Sequence, residues 1–146
     1  MIEDEGRRRT EAKPLLARVG IQCFVIRENQ VLLGQRVNTF GGETWGLPGG
    51  HMEEGETILE TAKRELAEET GIEALEMRVV AIADATVSNN FHLQIGVEIV
   101  SWAGNPTIVE PTKCGRLEFF SLTQLPEPLF VSSIPLLQRY IAGRLY

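Results

Sequence analysis

The segment over residues 50–72, GHMEEGETILETAKRELAEETGI, constrains the fold more than any other part of the chain. Thr57 is a suitable helix N-cap, Glu60 three residues later completes a capping box, and Gly71 supplies a C-terminal stop. The segment therefore predicts a helix from about residue 57 to residue 70. Four apolar residues at helical spacing predict a stripe that packs on a sheet, and these are Ile58, Leu59, Ala62 and Leu66.

Segments rich in Val, Ile, Leu and Phe lie on both sides of this helix and are typical of strands. Strands are predicted over residues 16–26, 31–35, 45–50, 73–87, 91–102 and 116–121, with a hairpin turn at 88–90 and a second helix over about 134–144. The order β-β-β-α-β-β-β-α contains hairpins rather than regular βαβ crossovers. It therefore predicts an α/β (α+β) fold in which helices pack on a mixed sheet.

The length of 146 residues and the composition predict one acidic domain. Lys and Arg number 14 against 20 Asp and Glu, which gives a formal net charge of −6. Because contacts with phosphate backbones need clustered cations, we expect no stable nucleic acid complex and no anionic membrane surface as partner. An acidic domain is, however, well suited to collecting a divalent cation.

The chain also carries signals about its organisation and compartment. Residues 1–14 are mostly polar and lack periodicity, which predicts a flexible N-terminal arm before a single domain over 15–146. No apolar run approaches the ~20 residues of a membrane span, and no secretory signal is evident. Cys23 and Cys114 lack metal-ligand spacing and are interpreted as reduced thiols of a cytoplasmic protein, the alternative being one disulfide in an exported protein.

Three carboxylates share one face of the predicted helix beside the apolar stripe. Glu65, Glu68 and Glu69 stand at relative positions 0, +3 and +4, and like charges at this spacing destabilise a helix. A divalent cation offsets that cost, and hard carboxylate oxygens suit Mg²⁺ or Mn²⁺. Arg64 can pair with a neighbouring carboxylate and fix its orientation, with Glu56 in the preceding loop as the candidate partner.

The glycine pair Gly49-Gly50 stands just upstream of the acidic helix. Glycine lets a backbone approach a metal or a phosphate closely. The glycine turn, the acidic helix and the implied metal together make a place where a phosphate chain is held and water is activated for hydrolysis at phosphorus. Each piece alone is more often a turn or a solvated helix face; the joint spacing favours the site.

Residues 50–72 match the pattern Gly-x5-Glu-x7-Arg-Glu-U-x-Glu-Glu-x-Gly-U, in which U is apolar. The matching residues are Gly50, Glu56, Arg64, Glu65, Leu66, Glu68, Glu69, Gly71 and Ile72. This pattern resembles the signature of the Nudix hydrolases, and the element order over residues 16–144 resembles their α/β/α sandwich. The resemblance implies Mg²⁺-dependent hydrolysis, with Mn²⁺ as a substitute, of a nucleoside diphosphate linked to another group.

The resemblance also implies roles for individual residues. Glu65, Glu68 and Glu69 would hold Mg²⁺, and the carbonyl of Gly50 would be a further ligand. In MutT-like relatives the first of these glutamates can instead act as the base, so both roles stay open for Glu65. Glu56 and Arg64 would form the orienting pair of the catalytic group.

Segments outside the signature narrow the expected substrate. Residues 45–51, 110–114 and 125–130 resemble MutT-like nucleoside triphosphate diphosphatases, whereas the proline typical of ADP-ribose hydrolases and the tyrosine of many diadenosine-polyphosphate hydrolases are missing. We therefore expect a nucleoside or deoxynucleoside triphosphate, cleaved to monophosphate and pyrophosphate. The alternatives are an ADP-ribose or nucleotide-sugar pyrophosphatase and a non-catalytic nucleotide-binding regulator. A homodimer is the candidate assembly, because members of this family are often dimeric.

Candidate substrate contacts outside the signature lie on the strand over 91–102 and before the second helix. His92, Gln94 and Glu98 share one face of that strand. Gln94 is a candidate substrate contact, and Glu98 would be an added metal ligand or base, or else a simple edge charge. Phe130 stands where related enzymes close the substrate pocket, and there its ring would stack on a nucleobase. The alternative is that Phe130 belongs to the hydrophobic core. Both histidines, His51 and His92, are interpreted as structural or exposed rather than catalytic.

Overall fold

The structure is a computed structural model that describes residues 13–14, 16–84 and 92–146. The predicted N-terminal arm therefore falls outside the described residues except for positions 13 and 14. The predicted hairpin turn at 88–90 falls outside them as well.

The described residues form eight strands and two helices. In chain order these are β1 (Arg18–Phe24), β2 (Ile26–Arg27), β3 (Gln30–Arg36), β4 (Trp45–Gly46), β5 (Gly49–His51), α1 (Ile58–Thr70), β6 (Glu73–Ala83), β7 (His92–Ala103), β8 (Cys114–Ser121) and α2 (Ile134–Ala142).

The strands build two sheets. The first has the order β5-β1-β7-β6, in which β1 and β7 run parallel while β5 and β6 are antiparallel to their neighbours. The second is centred on β3, which pairs antiparallel with β2, β4 and β8. The mixed strand directions agree with the sequence prediction. The parallel register places Arg18 opposite His92 and Gly20 opposite Gln94, which brings polar side chains to one end of the sheet.

The two helices cover opposite faces of the first sheet. Alternate residues of β1 show this arrangement, because Cys23 is buried with Leu66 of α1 whereas Phe24 is buried with Leu136 of α2. Successive strand residues point to opposite faces. The expected α/β/α sandwich is therefore confirmed.

Helix α1 begins and ends where its sequence predicts. The hydroxyl of Thr57 accepts from the amide of Glu60, and the Glu60 carboxylate accepts from the amide of Thr57, so both halves of the capping box are formed. Gly71 adopts a left-handed conformation with φ of 72° and closes the helix by donating to the carbonyl of Ala67. Local chemistry alone therefore fixes the bounds of this helix.

The buried face of α1 differs from the predicted stripe at one position. Ala62 and Leu66 are fully buried, whereas Leu59 is 37% exposed. Thr61 is buried instead, and its hydroxyl is satisfied by donating to the carbonyl of Thr57 at 3.0 Å. The prediction failed for Leu59 because a threonine that hydrogen-bonds to its own helix is buried without leaving a polar group unpaired.

Helix α2 ends two residues before the predicted end. Gly143 adopts a left-handed conformation with φ of 67°, so the helix stops at Ala142. Of the described residues, neither helix has the length and apolarity that a membrane crossing demands. Cys23 and Cys114 are both free thiols, as expected.

Truncation of a leucine on each face of α1 tests this packing. Leu66→Ala is expected to lower the free energy of unfolding by about 2–5 kcal/mol, because it leaves a cavity in the core. Leu59→Ala on the same helix is expected to cost less than about 1 kcal/mol, since that side chain keeps much of its contact with water. Urea denaturation of both variants measures the difference, and equal losses would contradict the assigned faces.

Candidate active site

A cleft of about 660 Å³ opens where β1, β5 and β7 meet the C-terminal half of α1 and the segment before α2. It brings together residues that stand far apart in the sequence. The predicted site residues that line it are Gly49, Gly50, Glu65, Glu69, Gln94 and Phe130.

The two glycines of β5 are required by close approach. A Cβ atom at Gly49 would overlap the carbonyl oxygen of Ile21 on β1, and one at Gly50 would overlap the carboxyl group of Glu65. A side chain at either position would push β5 away from β1 or α1. The glycine pair therefore lets the carboxylates of α1 lie directly against the backbone of β5.

Glu69 is the most strongly perturbed carboxylate of the cleft. Its pKa is raised to about 8, chiefly by burial and also by the neighbouring charges of Glu65 and Glu110. The amide of Gly49, which donates to Glu69 Oε2 at 2.9 Å, and the charge of Arg36 oppose the rise in this pKa. Among the described residues no Lys or Arg forms an ion pair with Glu69. This buried carboxylate therefore favours a cation nearby.

Arg64 ties three parts of the site together. Its Nε donates to Glu56 Oε2 at 2.7 Å and its Nη2 to Glu56 Oε1 at 2.9 Å, a bidentate pair that holds the pKa of Glu56 down at about 2. Its Nη1 donates to Glu65 at 2.8 Å and to Glu68 at 3.3 Å, and its Nη2 also reaches the carbonyl of His51. One guanidinium thus fixes a loop residue, the helix and β5.

The three helix carboxylates differ in environment. Burial raises the pKa of Glu65, and the hydrogen bond from Arg64 opposes this rise. The Glu68 side chain is 53% exposed and lies at the outer edge of the group. Within the described ranges, no three His, Cys, Asp or Glu side chains converge as they stand into a group able to hold a metal ion. The carboxylates are instead engaged by Arg64 and by the amide of Gly49.

Phe130 lines the cleft and belongs to neither buried cluster. The guanidinium of Arg36 lies over its ring, 3.9 Å from the centroid, and Phe40 packs edge-on at 6.3 Å. Gln94 also lines the cleft, is only 5% exposed, and accepts a hydrogen bond from Gln22. An aromatic ring and an amide therefore stand in the part of the cleft formed by β7 and the segment before α2.

Glu98 requires a correction, because the structure does not bring it to the helix carboxylates. It shares a strand face with Gln94, but it stands opposite Phe24 in the register and faces α2, where it interacts with Tyr140. Its carboxylate pairs with Arg78 at 3.1 Å. Residues on the same face of a 12-residue strand can lie far apart along its length, so the shared face did not predict which of them line the cleft. Gln94 lines the cleft and Glu98 does not.

Three charged residues of the cleft, Arg36, Glu110 and Lys113, were not among the predicted site residues. Glu110 lies close enough to raise the pKa of both Glu65 and Glu69, and Arg36 covers Phe130. The loop that carries Glu110 reaches α1 through a backbone contact, in which the amide of Thr107 donates to the carbonyl of Thr70 at 2.9 Å. This approach is tertiary, so no local pattern around Glu110 signals it.

A pH-dependent stability measurement tests the burial of Glu69. Its ordinary pKa of 4.5 rises to about 8 in the folded chain, so the native state binds more protons than the unfolded state between these values and stability falls as the pH rises through them. Glu69→Gln removes this cost, and its amide oxygen still accepts from Gly49. In EDTA at pH 8 we expect the variant to gain about 1 kcal/mol or more in unfolding free energy, with no gain near pH 4.

The matched control for this measurement is Glu54→Gln, which changes the same charge on an exposed loop residue. Its thermal denaturation is expected to follow the parent chain at both pH values. A Glu69→Gln variant that unfolds more readily than the parent at pH 8 would contradict the assigned environment.

Comparison with known proteins agrees with this geometry. The family model described as NUDIX domain matches residues 16–140. Among curated proteins, the chain is 32% identical over 108 residues to the putative mutator protein MutT4 of Mycobacterium tuberculosis, covering 70% of this chain and 43% of that protein. It is 48% identical over 49 residues to the mouse oxidized purine nucleoside triphosphate hydrolase, covering 34% of this chain and 31% of that protein. The chain thus spans less than half the length of these relatives.

Among solved structures, the MutT NUDIX hydrolase from Burkholderia pseudomallei superposes with a TM-score of 0.78 and 27% identity, over 86% of this chain and 98% of that one. The match therefore extends over the whole sandwich and is not confined to the acidic helix. Since the family model covers most of the sequence and the carboxylate helix stands beside its glycine strand, the chain belongs to the Nudix family and is MutT-like.

Proposed function

We propose that the protein is a Mg²⁺-dependent hydrolase of nucleoside or deoxynucleoside triphosphates that releases the monophosphate and pyrophosphate. The observation that carries the proposal is the buried Glu69 carboxylate, held against the amide of Gly49 at the wall of a cleft large enough for a nucleotide. The MutT-like relatives support the same reaction class, and the name of the mouse relative places oxidized purine nucleotides among the substrates to test.

The residues present fit a hard divalent cation. Carboxylate oxygens of Glu65, Glu68 and Glu69 and the carbonyl of Gly50 are the donors that Mg²⁺ and Mn²⁺ prefer. The raised pKa of Glu69 supports this assignment, because a cation offsets the cost of a buried negative charge. When bound, the metal would supply charge neutralisation on the phosphate chain and activation of water.

The chain's own groups then position the reaction. Gly49 and Gly50 keep β5 free of side chains, so the phosphate chain can approach the backbone. Arg64, held by Glu56, fixes the carboxylate of Glu65, and this arrangement suits either a metal ligand or a base that takes the proton of the attacking water. Glu56 and Arg64 act as positioning residues in this proposal, because they orient Glu65 rather than contact the substrate.

The nucleoside would occupy the remaining part of the cleft. Phe130 and Gln94 supply an aromatic surface and an amide there, while the carboxylates at the other end repel anything anionic that is not accompanied by a cation. We also infer a cytoplasmic location, supported by the two free thiols, and a homodimer remains the predicted assembly.

A product assay tests the proposal. Common triphosphates, an oxidized purine triphosphate and ADP-ribose are each incubated with the protein and Mg²⁺ or Mn²⁺, and pyrophosphate is measured separately from orthophosphate. We expect pyrophosphate from at least one triphosphate, with Glu68→Gln and Glu69→Gln lowering kcat by about 100-fold or more because they remove electrostatic stabilisation of the reacting phosphates.

Glu54→Gln is the control and is expected to retain the parent rate. Unchanged turnover in both helix variants would break the link between activity and the carboxylates. Cleavage of ADP-ribose to two monophosphates with inert triphosphates would instead favour the nucleotide-sugar alternative. Tight nucleotide binding without hydrolysis in either metal would favour the regulatory alternative.

A further inference from the structure

A chain of buried hydrogen bonds runs from Leu47, which follows β4, to the wall of the cleft. The amide of Leu47 donates to Ser133 Oγ at 3.1 Å, and this hydroxyl donates to Gln22 Oε1 at 2.6 Å. Gln22 Nε2 then donates both to the carbonyl of Ser132 and to Gln94 Oε1, each at 2.9 Å. All three side chains are at least nine-tenths buried, with exposures of 0% for Ser133, 6% for Gln22 and 5% for Gln94.

The chain of hydrogen bonds determines which way each amide points. A backbone N–H can only donate, so Ser133 Oγ accepts from Leu47 and keeps its own hydrogen for Gln22. The carbonyl of Ser132 can only accept, so the Gln22 atom that faces it is the nitrogen. Two independent constraints therefore fix the orientation of the Gln22 amide, and the second hydrogen of its nitrogen requires an acceptor on Gln94.

The consequence for Gln94 is that its oxygen faces Gln22 and its nitrogen remains for the cleft. No described residue accepts a hydrogen bond from Gln94 Nε2. A Cβ atom at Gly20 would overlap both amide atoms of Gln94, so the amide lies flat against the glycine of β1. Gly20, Gln22 and Gln94 all line the cleft, which thus presents a fixed N–H donor rather than an amide free to turn.

This donor stands where a nucleobase would lie. The carboxylates of α1 belong to the phosphate end of the cleft, whereas Gln94 shares its part of the lining with Phe130, Val131 and Ser132. Phe130, Val131 and Ser132 are neutral, and the guanidinium of Arg36 is stacked on the Phe130 ring. This surface therefore suits a planar ring with polar edges. A fixed donor requires an acceptor on that ring, because a facing amino group would leave two donors opposed and unpaired.

We propose that Gln94 Nε2 contacts position 6 of a purine or position 4 of a pyrimidine. It would then select the bases with a carbonyl oxygen there, namely guanine, hypoxanthine, uracil and thymine, over adenine and cytosine, which carry an amino group at that position. The inference rests on the proposed function only in placing a nucleotide in this cleft. The base edges supply the distinction: guanine and thymine present carbonyl acceptors where adenine and cytosine present amino donors. A site built around a buried hydrogen-bonding group rejects the mismatched analogue because the group is then left unpaired.

Binding of uncharged nucleosides in EDTA tests the inference without any hydrolysis and without a phosphate that the carboxylates would repel. Isothermal titration of the full chain is expected to show guanosine and uridine binding on the order of 10- to 100-fold more tightly than adenosine and cytidine, the discrimination typical of a well-placed base contact. Gln94→Glu, which presents only acceptors to the base, is expected to abolish or invert the ratio between guanosine and adenosine. Gln124→Glu, an exposed matched substitution, is expected to leave it unchanged.

Gly20→Ala provides a second variant that keeps the chemistry of Gln94 but displaces its amide, and it is expected to remove the preference as well. Thermal denaturation identifies whether each variant is folded. Equal affinity for guanosine and adenosine, or no binding of any of the four nucleosides, would overturn the inference while leaving triphosphate hydrolysis to its own assay. A clear preference in binding by a protein that hydrolyses nothing would support the inference and contradict the proposed function.

Discussion

The contact between helix α1 and the glycine strand β5 is the interaction on which the cleft depends. The amide of Gly49 donates to the carboxylate of Glu69, and Arg64 joins Glu65 on the helix to the carbonyl of His51. Neither contact is available unless β5 lacks side chains at positions 49 and 50. The backbone of β5 and the carboxylates of α1 therefore form one polar wall of the cleft. The polarity of this wall determines which ligands the cleft can bind.

This arrangement buries a carboxylate in the wall of the cleft, which lowers the stability of the fold. Burial raises the pKa of Glu69, and the charges of Glu65 and Glu110 act in the same direction. The amide of Gly49 and the charge of Arg36 oppose this rise in the Glu69 pKa, while Arg64 hydrogen-bonds to Glu56, Glu65 and Glu68. The buried apolar face on the other side of the same helix contributes stability. Stability and the proposed chemistry thus make opposite demands on one helix, and the cation of the proposed function would reconcile them.

The features that the sequence predicts correctly are those that depend on neighbouring residues. The bounds of α1 follow from Thr57, Glu60 and Gly71, and the grouping of Glu65, Glu68 and Glu69 follows from helical spacing, so both depend only on residues within a few turns of one another. The strand order β5-β1-β7-β6 does not depend on neighbouring residues in this way. It pairs β1 with β7, which are more than 60 residues apart in the sequence. The hydrophobic patterns predict a mixed sheet but not this order.

The features that sequence analysis missed share that long-range origin. Glu98 lies on the predicted face of its strand but at the end that faces α2, and only the register reveals it. Glu110 reaches the carboxylates through a loop that docks on the end of α1. Ser133 is the N-cap residue of α2, yet its hydroxyl makes no cap and bonds instead to Gln22, 111 positions away in the sequence. When several polar groups are available to a side chain, its neighbours in the sequence do not determine which of them becomes its hydrogen-bond partner.

Paramagnetic broadening by Mn²⁺ tests the central claim most directly, because it locates the cation without requiring catalysis. In a spectrum of backbone amides, substoichiometric Mn²⁺ with a nucleotide is predicted to broaden the signals of Gly49, Gly50 and Glu69 first, while those of Leu136 and Leu137 in α2 stay sharp. The same titration of Glu69→Gln is predicted to lose this pattern. Broadening that spares β5 and α1, or that spreads evenly over exposed carboxylates such as Glu73 and Glu76, would contradict the account.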